Sequence, residues 1–475
     1  MSTPSIRPFD APNRKQIAQG HPLDWRPPRP KDEYDLVVLG GGPAGLTAAV
    51  TAVKAGHAVA MVERNLTGGT CVNFGCTPSK ALLRAARAVH QAKRGNEFGY
   101  TLEAAPRVDF AAVMTRVREM RAFSGSFDAV SVAASAGIDV FLGDGRFAGP
   151  DAVEVDGERL RFRKALVATG SGPAVPDLPG LAAAAYLTNE TVFELTELPR
   201  RVVCVGAGIV NCELAQALRR LGSEVDLVGS GERLMPSEAP AASELIARRL
   251  AAEGVRLRLG QRVTSVDGER RQAVLVDGTA LPYECLLFAT GRRVRVDGLG
   301  LDTAGVKLGP HGVETDDQLR TTNPAIYAAG DVAQPAKYTH AAIATAKLAV
   351  SNAIDGAGKR LSELVIPHCT YTDPEVAQVG VTPQEAERRG MSLETHRMDL
   401  STVERAVIDG AADGFCVVYA HEGRLVGATY VAAHAGESIP LTLAVAQKMT
   451  PGELAAVIHC YPTQVEAIQR AAAER

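Results

Sequence analysis

Two cysteines with four residues between them, Cys71 and Cys76, stand in the run GGTCVNFGCTPSK at residues 68–80. Thiols this close along a chain can pass two electrons by opening and closing one disulfide. A metal knuckle or two buried core cysteines are the alternatives. A zinc site needs four ligands, usually with a second Cys or His pair at short spacing, and no such pair stands out here. The context therefore favours a redox pair.

A dinucleotide-binding pattern ends a few residues before this run. Residues 34–39 predict a buried strand, and Gly40, Gly42 and Gly45 follow with the spacing G-x-G-x-x-G at the start of a helical pattern. Such glycines let the backbone approach a pyrophosphate at a helix N-terminus. The next strand ends in Glu63, where an acidic side chain binds ribose hydroxyls.

The pattern recurs downstream. Residues 201–205 predict a strand and Gly206 and Gly208 a turn, but Asn211 replaces the third glycine, which should loosen the packing of helix on strand. The following strand ends without an acidic residue, and Arg233 is close by. We therefore expect NADPH rather than NADH, although Arg233 as a solvated surface residue is the alternative. Two nucleotide sites beside a cysteine pair predict a relay, in which hydride passes to a flavin and electrons pass to the disulfide.

Length and composition narrow the class of protein. A chain of 475 residues predicts three or four domains. The net charge of −3, without long charged blocks, gives no indication of a nucleic-acid or membrane partner. Eight scattered cysteines, with only one tight pair, are typical of a reducing cytosol, so we expect a cytoplasmic protein. Residues 36–53 lack charges, but their glycines and Pro43 favour a strand, a turn and a helix over a membrane span.

Residues 1–33 contain seven prolines and no apolar stretch, which excludes a signal peptide. We expect this segment to be a semi-extended arm lying on the body of the protein, or to be disordered.

Taken together, these motifs resemble the flavoprotein pyridine nucleotide–disulfide oxidoreductases, a family that includes glutathione reductase, dihydrolipoamide dehydrogenase and mercuric reductase. The resemblance runs from about residue 34 to the C-terminus. It also rests on Ala-Thr-Gly at residues 168–170 and 289–291, on TTNPAIYAAGD at 321–331, and on Thr-Asp-Pro-Glu at 372–375.

The resemblance implies an α/β fold with two doubly wound dinucleotide-binding domains, for FAD and NAD(P), and a C-terminal α+β dimerisation domain. The implied boundaries are 1–33 for the N-terminal arm, 34–170 for the FAD-binding domain, 171–290 for the NAD(P)-binding domain, 291–365 for a central region returning to the FAD side, and 366–475 for the dimerisation domain.

The resemblance also implies roles for single residues. Cys76 would face the flavin as the thiolate and Cys71 would attack the substrate, and a place at a helix N-terminus should lower the pKa of Cys76. Lys80, one turn later, would lie near the flavin and pair with Glu213, unless the two form an ordinary structural ion pair. The remaining candidate contacts are Gly69, Thr70, Thr169, Gly170, Gly330 and Asp331 for FAD, and Gly291 for NAD(P).

The C-terminal segment departs from the disulfide reductases of this family. They carry His-x-His-Pro-Thr-x-x-Glu, whose second histidine is the acid/base for the partner subunit's active site. This chain has Tyr461 at that place, with Glu466 and His459 kept. A phenol with a pKa near ~10 is a poor base at neutral pH, but it can donate a proton or lie against a bound cation. We therefore expect a homodimer whose active site spans the interface, with Tyr461 and Glu466 contributed across it.

Three functions stay open. Mercuric reductases resemble this chain in having tyrosine at the place of Tyr461, and Cys71 and Cys76 could hold Hg²⁺ transiently between two soft thiolates. The chain lacks their C-terminal vicinal cysteines and N-terminal Cys-x-x-Cys, so a reductase of a low-molecular-weight or protein disulfide is the alternative, with Tyr461 as proton donor. A flavoprotein subunit of a larger complex, recruited through the N-terminal arm, is the third.

Five further cysteines, Cys204, Cys212, Cys285, Cys369 and Cys416, are expected in the core. Cys460, beside Tyr461, is either a third thiol at the site or a small buried residue. His340 is expected to be structural, although it follows the flavin motif closely.

Overall fold

The computed structural model describes residues 6–474, apart from the side chain of Ile439. The N-terminal part is an α/β unit. Its elements are α1 (Ala11–Gly20), β1 (Tyr34–Leu39), α2 (Pro43–Lys54), β2 (Val59–Glu63), α3 (Gly69–Phe74), α4 (Cys76–Lys93), α5 (Phe110–Gly125), α6 (Val130–Ser135), β3 (Asp139–Leu142), β4 (Arg146–Gly149), β5 (Ala152–Val155), β6 (Glu158–Val167) and β7 (Ser171–Pro173).

The middle of the chain forms a second α/β unit and then returns to the first. Its elements are β8 (Leu187–Thr188), β9 (Arg201–Val205), α7 (Ile209–Leu221), β10 (Glu224–Gly229), α8 (Pro240–Ala252), β11 (Arg256–Leu259), β12 (Val263–Asp267), β13 (Gln272–Leu275), β14 (Ala280–Pro282), β15 (Cys285–Phe288), β16 (Arg292–Val294), β17 (Leu308–Gly309), β18 (Gly312–Val313), β19 (Ile326–Ala328) and α9 (Thr339–Asp355).

The C-terminal part is an antiparallel sheet with short helices. Its elements are β20 (His368–Thr370), β21 (Glu375–Gly380), α10 (Pro383–Arg389), β22 (Glu394–Asp399), α11 (Glu404–Ile408), β23 (Phe415–His421), β24 (Arg424–Ala432), α12 (Ile439–Ala446), α13 (Pro451–Ala455) and α14 (Glu466–Ala473).

The first sheet has the order β3-β2-β1-β6-β5-β4, and β19 adds to β6. Strands β3, β2, β1, β6 and β19 pair in parallel, while β4, β5 and β6 pair antiparallel. Because both faces of the parallel part are covered, β1 is an almost uninterrupted apolar run: Leu36 and Val38 pack under α2 and α9, and Val37 and Leu39 pack on the opposite face. The uncharged stretch is thus a strand, a turn and a helix, as its glycines and proline predicted.

The second sheet is parallel, with the order β11-β10-β9-β15-β8. The sheet of the C-terminal part has the order β20-β21-β24-β23-β22. The chain crosses between the first two units through β7 and β16, which pair antiparallel. Among residues 6–474, no helix combines the length and apolar character needed to cross a membrane.

The N-terminal arm differs from the expectation of an extended or disordered segment, because residues 11–20 form helix α1. The side chain of Asp10 caps this helix by accepting a hydrogen bond from the Asn13 backbone N–H at 3.1 Å, and a proline stands in its first turn. The side chains of Gln16 and Ile17 are buried beneath it. Residues 1–5 of the predicted arm, and residue 475 of the predicted C-terminal domain, lie outside the described residues.

Candidate active site

The first glycine turn, between β1 and α2, has no room for side chains at Gly40 and Gly45. A Cβ on Gly40 would lie 2.5 Å from the Ala168 carbonyl oxygen, and one on Gly45 would lie 1.7 Å from the Gly40 carbonyl oxygen. Gly42 caps α2 and opens towards a cavity of about 1750 Å³. At the end of β2, the Glu63 carboxylate accepts from the Gly41 N–H at 2.5 Å. A glycine turn at a helix N-terminus beside a fixed carboxylate fits the pyrophosphate and ribose of a dinucleotide such as FAD.

Another part of the cavity wall is built around Asp331. Its Oδ2 accepts from the Ser171 hydroxyl at 2.6 Å and lies 3.3 Å from Nε of Arg292, and its carbonyl oxygen accepts from Lys337 Nζ at 2.7 Å. Gly330 has φ +75°, a conformation that favours glycine. Nothing in the sequence signalled Ser171, Arg292 or Lys337 as partners of Asp331.

The other expected FAD contacts lie in the same cavity. Gly69, Thr70, Thr169 and Gly170 all line it. Gly69 packs so tightly on the first glycine turn that a Cβ on it would lie 2.7 Å from the Gly42 Cα. The residues that we singled out for FAD thus line one cavity, except Gly45, which packs against the Gly40 carbonyl inside the turn.

The two thiols meet at the junction of α3 and α4, where α3 carries Cys71 and α4 begins at Cys76. Both are free thiols on the cavity wall, and Thr339 Oγ1 lies 3.3 Å from Cys76 Sγ. The hydrogen bond from Cys71 lowers the pKa of Cys76, helped by Thr339 and by the charge of Lys80, while burial opposes this shift. The same bond raises the pKa of Cys71, and burial adds to that shift. These opposite shifts favour loss of the proton from Cys76 before Cys71.

Lys80 lies one turn after Cys76, and its Nζ is 2.9 Å from Oε2 of Glu213 in α7. The other carboxylate oxygen of Glu213 accepts from the Tyr371 backbone N–H at 2.9 Å, and Lys80 Nζ stands 4.2 Å from the centroid of the Tyr371 ring. Glu213 is 7% exposed and Lys80 37%, so the pair is buried on one side and open to the cavity on the other. No sequence pattern indicated Tyr371, because it reaches the pair from the C-terminal part of the chain.

The second glycine turn faces the far end of the same cavity. A Cβ on Gly206 would lie 2.5 Å from the Ala289 carbonyl oxygen, whereas one on Gly208 would meet nothing within 4 Å. Gly291 and Arg233 also line this end. The packing is not loosened at Asn211, whose fully buried amide donates to the Val205 and Gly206 carbonyls at 2.8 Å.

The strand end at Gly229 excludes a side chain. A Cβ there would lie 2.5 Å from the Ala207 Cβ, so the carboxylate that binds a ribose in NADH-dependent sites cannot be placed here without a shift of the backbone.

A stack of aromatic rings borders the thiols and was not predicted. The ring of Tyr338 lies between His340, at a centroid distance of 5.6 Å, and His368, at 5.2 Å. His368 Nε2 is 3.0 Å from a carboxylate oxygen of Glu238, which is completely buried. His340, which we expected to be structural, lines the cavity next in sequence to Thr339.

The expectations for the remaining cysteines are right in four of five cases. Cys204, Cys212, Cys285 and Cys416 are buried, but Cys369 lies in the cavity wall and not in the core. The error arose because Cys369 lies in the short edge strand β20, which is not covered on all sides. Cys460 is exposed.

Tyr461 and Glu466 do not line the cavity of their own protomer among residues 6–474. Tyr461 is 69% exposed, and its hydroxyl donates a hydrogen bond to Glu404 Oε2, which raises its pKa. Glu466 begins α14. Within the chain, the carboxylate that orients the Tyr461 hydroxyl is thus Glu404. No local sequence pattern could indicate this pair, because the two residues are 57 positions apart.

Comparison with known proteins now identifies the class. Residues 34–353 match the family model described as pyridine nucleotide-disulphide oxidoreductase, and residues 366–472 match the dimerisation domain of the same family. The chain belongs to this family of FAD- and NAD(P)H-binding flavoproteins.

Similar proteins in this family include enzymes with different named activities. A mercuric reductase from Streptomyces lividans is 38% identical over 92% of this chain and 95% of its own length. A dihydrolipoyl dehydrogenase from Chlamydia muridarum is 32% identical over 92% and 95%. Among solved structures, LpdA from Mycobacterium tuberculosis superimposes with a TM-score of 0.82 and 27% identity, covering 92% of this chain and 98% of LpdA.

Proposed function

We propose that this protein is an NADPH-dependent flavoenzyme that delivers two electrons through Cys71 and Cys76 to a soft metal ion of the Hg²⁺ type. The observation that carries the proposal is that the two free thiols, Cys71 and Cys76, line the same cavity as both glycine turns. Bound FAD would supply the acceptor for the hydride of NADPH.

The residues of the chain divide the work. The turn formed by Gly40, Gly42 and Gly45 would leave room for the FAD pyrophosphate. Glu63 would bind the ribose hydroxyls, and Asp331 would bind the ribityl chain. The Lys80 cation would balance the negative charge that accumulates on reduction, and Glu213 would hold it in place. The reaction NADPH + Hg²⁺ → NADP⁺ + H⁺ + Hg⁰ balances in atoms and charge. Reduction of Hg²⁺ needs two thiolates to bind the metal ion, but it needs no proton donor, because no thiolate leaves from a disulfide.

The character of Tyr461 supports this acceptor. A phenol that donates to Glu404 and whose pKa is raised by it stays protonated near neutral pH. It is therefore a poor general base for disulfide exchange. With NADPH, the cationic Arg233 at the far end of the cavity would pair with the 2′-phosphate, and the absence of a carboxylate at Gly229 avoids repulsion.

The test is steady-state NADPH oxidation by the purified flavoprotein, with Hg²⁺ in excess small thiol compared against glutathione disulfide, lipoamide and cystine. We expect Hg²⁺-dependent turnover that is lost in Cys71→Ser and kept in Cys416→Ala, a control in which the cysteine is completely buried away from the cavity. Fast turnover of one disulfide, with Hg²⁺ acting only as an inhibitor, would overturn the choice of acceptor.

A disulfide reductase is the second candidate, and His340 favours it. This imidazole lines the cavity beside the thiols, where it could accept and return the proton that the histidine at the place of Tyr461 handles in disulfide reductases. The candidate predicts that Tyr461→His raises disulfide turnover and that His340→Asn lowers it. If the wild type, Tyr461→His and His340→Asn all show only background disulfide turnover, the disulfide-reductase candidate loses its support.

Recruitment into a larger complex through the N-terminal arm has less support, because α1 is engaged with the body of its own chain. We expect deletion of residues 2–33 to cause no loss of a co-purifying partner, whatever its effect on the redox site.

We also propose a cytoplasmic homodimer. All eight cysteines are free thiols, which fits a reducing compartment. The exposed Ile458 and Tyr461 would be covered by the second subunit, so that Tyr461 and Glu466 reach the partner's thiols. Fully active monomers, obtained by dilution or by an interface substitution, would contradict the shared active site.

A further inference from the structure

The N-terminal helix contacts the segment that carries the redox pair. Ile6 and Ile17 pack with Leu66 and Phe74 in a small separate core. The Gly20 carbonyl accepts from the Thr67 N–H at 3.0 Å. Leu66 precedes α3 and Phe74 is its last residue. The N-terminal segment therefore contacts the chain on both sides of Cys71.

A buried amide links α1 to this segment directly. Gln16 Nε2 donates to Asn73 Oδ1 at 2.7 Å, and both side chains are fully buried or nearly so. The Asn73 amide in turn donates to the carbonyls of Thr67 at 3.0 Å and Gly69 at 2.9 Å. Asn73 therefore closes the turn that holds Cys71, and Gln16 holds Asn73 in place.

Two arginines of α5 complete the network. Arg121 is 1% exposed; it donates to the Asn73 carbonyl at 3.0 Å and to the Asn13 side chain, and burial lowers its pKa to about 10. Arg118 Nε lies 2.6 Å from Oδ2 of Asp10, the residue that caps α1. Without α1, a nearly buried guanidinium would lose one of its two acceptors, which is costly.

The fit extends to the backbone of α5. A Cβ on Gly125 would lie 2.0 Å from Gln16 Oε1, so a glycine makes room for this side chain. The matched family region begins at residue 34, so the helix lies outside it.

We propose that helix α1 is a positioning element of the redox site, which fixes residues 69–74 so that Cys71 and Cys76 can close their disulfide. This inference rests on the proposed redox role of the two cysteines. It predicts that breaking the Gln16–Asn73 link lowers the effective concentration of one thiol at the other, and so disfavours the disulfide.

The test is equilibration of the holoenzyme with mixtures of oxidised and reduced dithiothreitol without oxygen. Oxidised dithiothreitol accepts two electrons and two protons from the thiols and leaves the Cys71–Cys76 disulfide. After an acid quench, the protein is unfolded and alkylated, and mass spectrometry of the peptides gives the oxidised fraction. Gln16→Met keeps the volume and removes the hydrogen bond to Asn73, and Asp10→Ala removes the cap of α1 and the partner of Arg118.

In both variants we expect the equilibrium constant for disulfide formation to fall about 3- to 10-fold, where a tenfold change corresponds to about 30 mV. Two controls should match the wild type: Lys15→Ala, an exposed position on α1, and Ile246→Val, a buried position in α8 that lowers stability without touching the arm. Melting temperatures separate general destabilisation from the local effect.

The outcomes distinguish the two claims. If the wild type forms no Cys71–Cys76 disulfide at any ratio, the proposed function fails and the inference fails with it. If the wild type forms it and Gln16→Met and Asp10→Ala do so equally well, only the role of α1 is overturned. An equal fall in Ile246→Val would also overturn it, since general destabilisation would then account for the change.

Discussion

Thr339→Val tests the assignment of Cys76 as the thiolate. Thr339 Oγ1 lies 3.3 Å from Cys76 Sγ, and this contact lowers the pKa of Cys76. Valine keeps the β-branched shape and removes only the hydroxyl, so the surrounding packing should be retained. The expected result is a higher pKa of Cys76 in the reduced protein.

The size of the shift follows from the contact. A hydrogen bond to a charged group contributes about 1.5–3 kcal/mol, and one pKa unit corresponds to about 1.4 kcal/mol. Because the contact is long and involves sulfur, we take the lower value and expect a rise of about one pKa unit. The thiolate forms as the pH rises through this pKa, so its titration curve should move to higher pH.

The assay is a pH titration of the charge-transfer absorbance that a thiolate gives beside flavin in the reduced holoenzyme. At any one pH, Thr339→Val should show about a tenfold smaller ratio of thiolate to thiol than the wild type, and the difference in absorbance should be largest between the two midpoints. Thr77→Val is the matched control: Thr77 follows Cys76 directly, but its hydroxyl bonds to Ser124. An unchanged midpoint in Thr339→Val would refute the reasoning that this hydroxyl stabilises the Cys76 thiolate.

Three further predictions concern the cavity. Lys80→Met should raise the pKa of Cys76, because the cation that lowers it is lost, and should lower the melting temperature, because Glu213 stays buried without its partner; a pH titration and a thermal melt read the two effects. Arg233→Ala should raise KM for NADPH by about 10-fold or more, the expected loss of a charge-assisted hydrogen bond to phosphate, and leave KM for NADH nearly unchanged; equal effects on both would contradict NADPH preference. Gly45→Ala should yield protein without yellow colour, because its Cβ would strike backbone at 1.7 Å, whereas Gly208→Ala, which meets no protein atom within 4 Å, should keep FAD and weaken nucleotide binding, as absorbance and KM would show.

The parts of the site that depend on local chain geometry were predictable. Gly40 and Gly45 are required because backbone carbonyls stand within 2.5 Å of any Cβ, and that constraint leaves the G-x-G-x-x-G pattern in the sequence. The start of α4 at Cys76 and the place of Lys80 one turn later follow from helix periodicity. Such rules involve residues a few positions apart, so a single sequence carries them.

Contacts between distant segments left no such pattern. Ser171 and Arg292 reach Asp331 from separate strands, and Tyr461 donates to a carboxylate 57 positions away. Which segments meet is decided by the packing of whole domains. A sequence pattern for one segment therefore cannot name its partner in another.

Helix α1 was not predicted, although the sequence contains a local signal for it. Asp10 is a good N-cap, and Pro12 stands in the first turn, where proline is favoured. The number of prolines in residues 1–33 suggested an extended arm. The position of a proline within a helix decides its effect, however, and not how many prolines the segment contains.

The pKa of Cys76 depends on contacts between three parts of the chain: α4, α7 and the C-terminal part. Lys80 lowers the pKa of this thiol and Glu213 raises it, so the effect of the ion pair is smaller than that of either charge alone. The Tyr371 N–H and ring, supplied by the C-terminal part, hold the carboxylate and the cation together. A substitution that displaces Tyr371 should therefore change the balance of the two charges without removing either of them. The reactivity of the thiol pair is in this sense a property of the assembled domains and not of the cysteine motif alone.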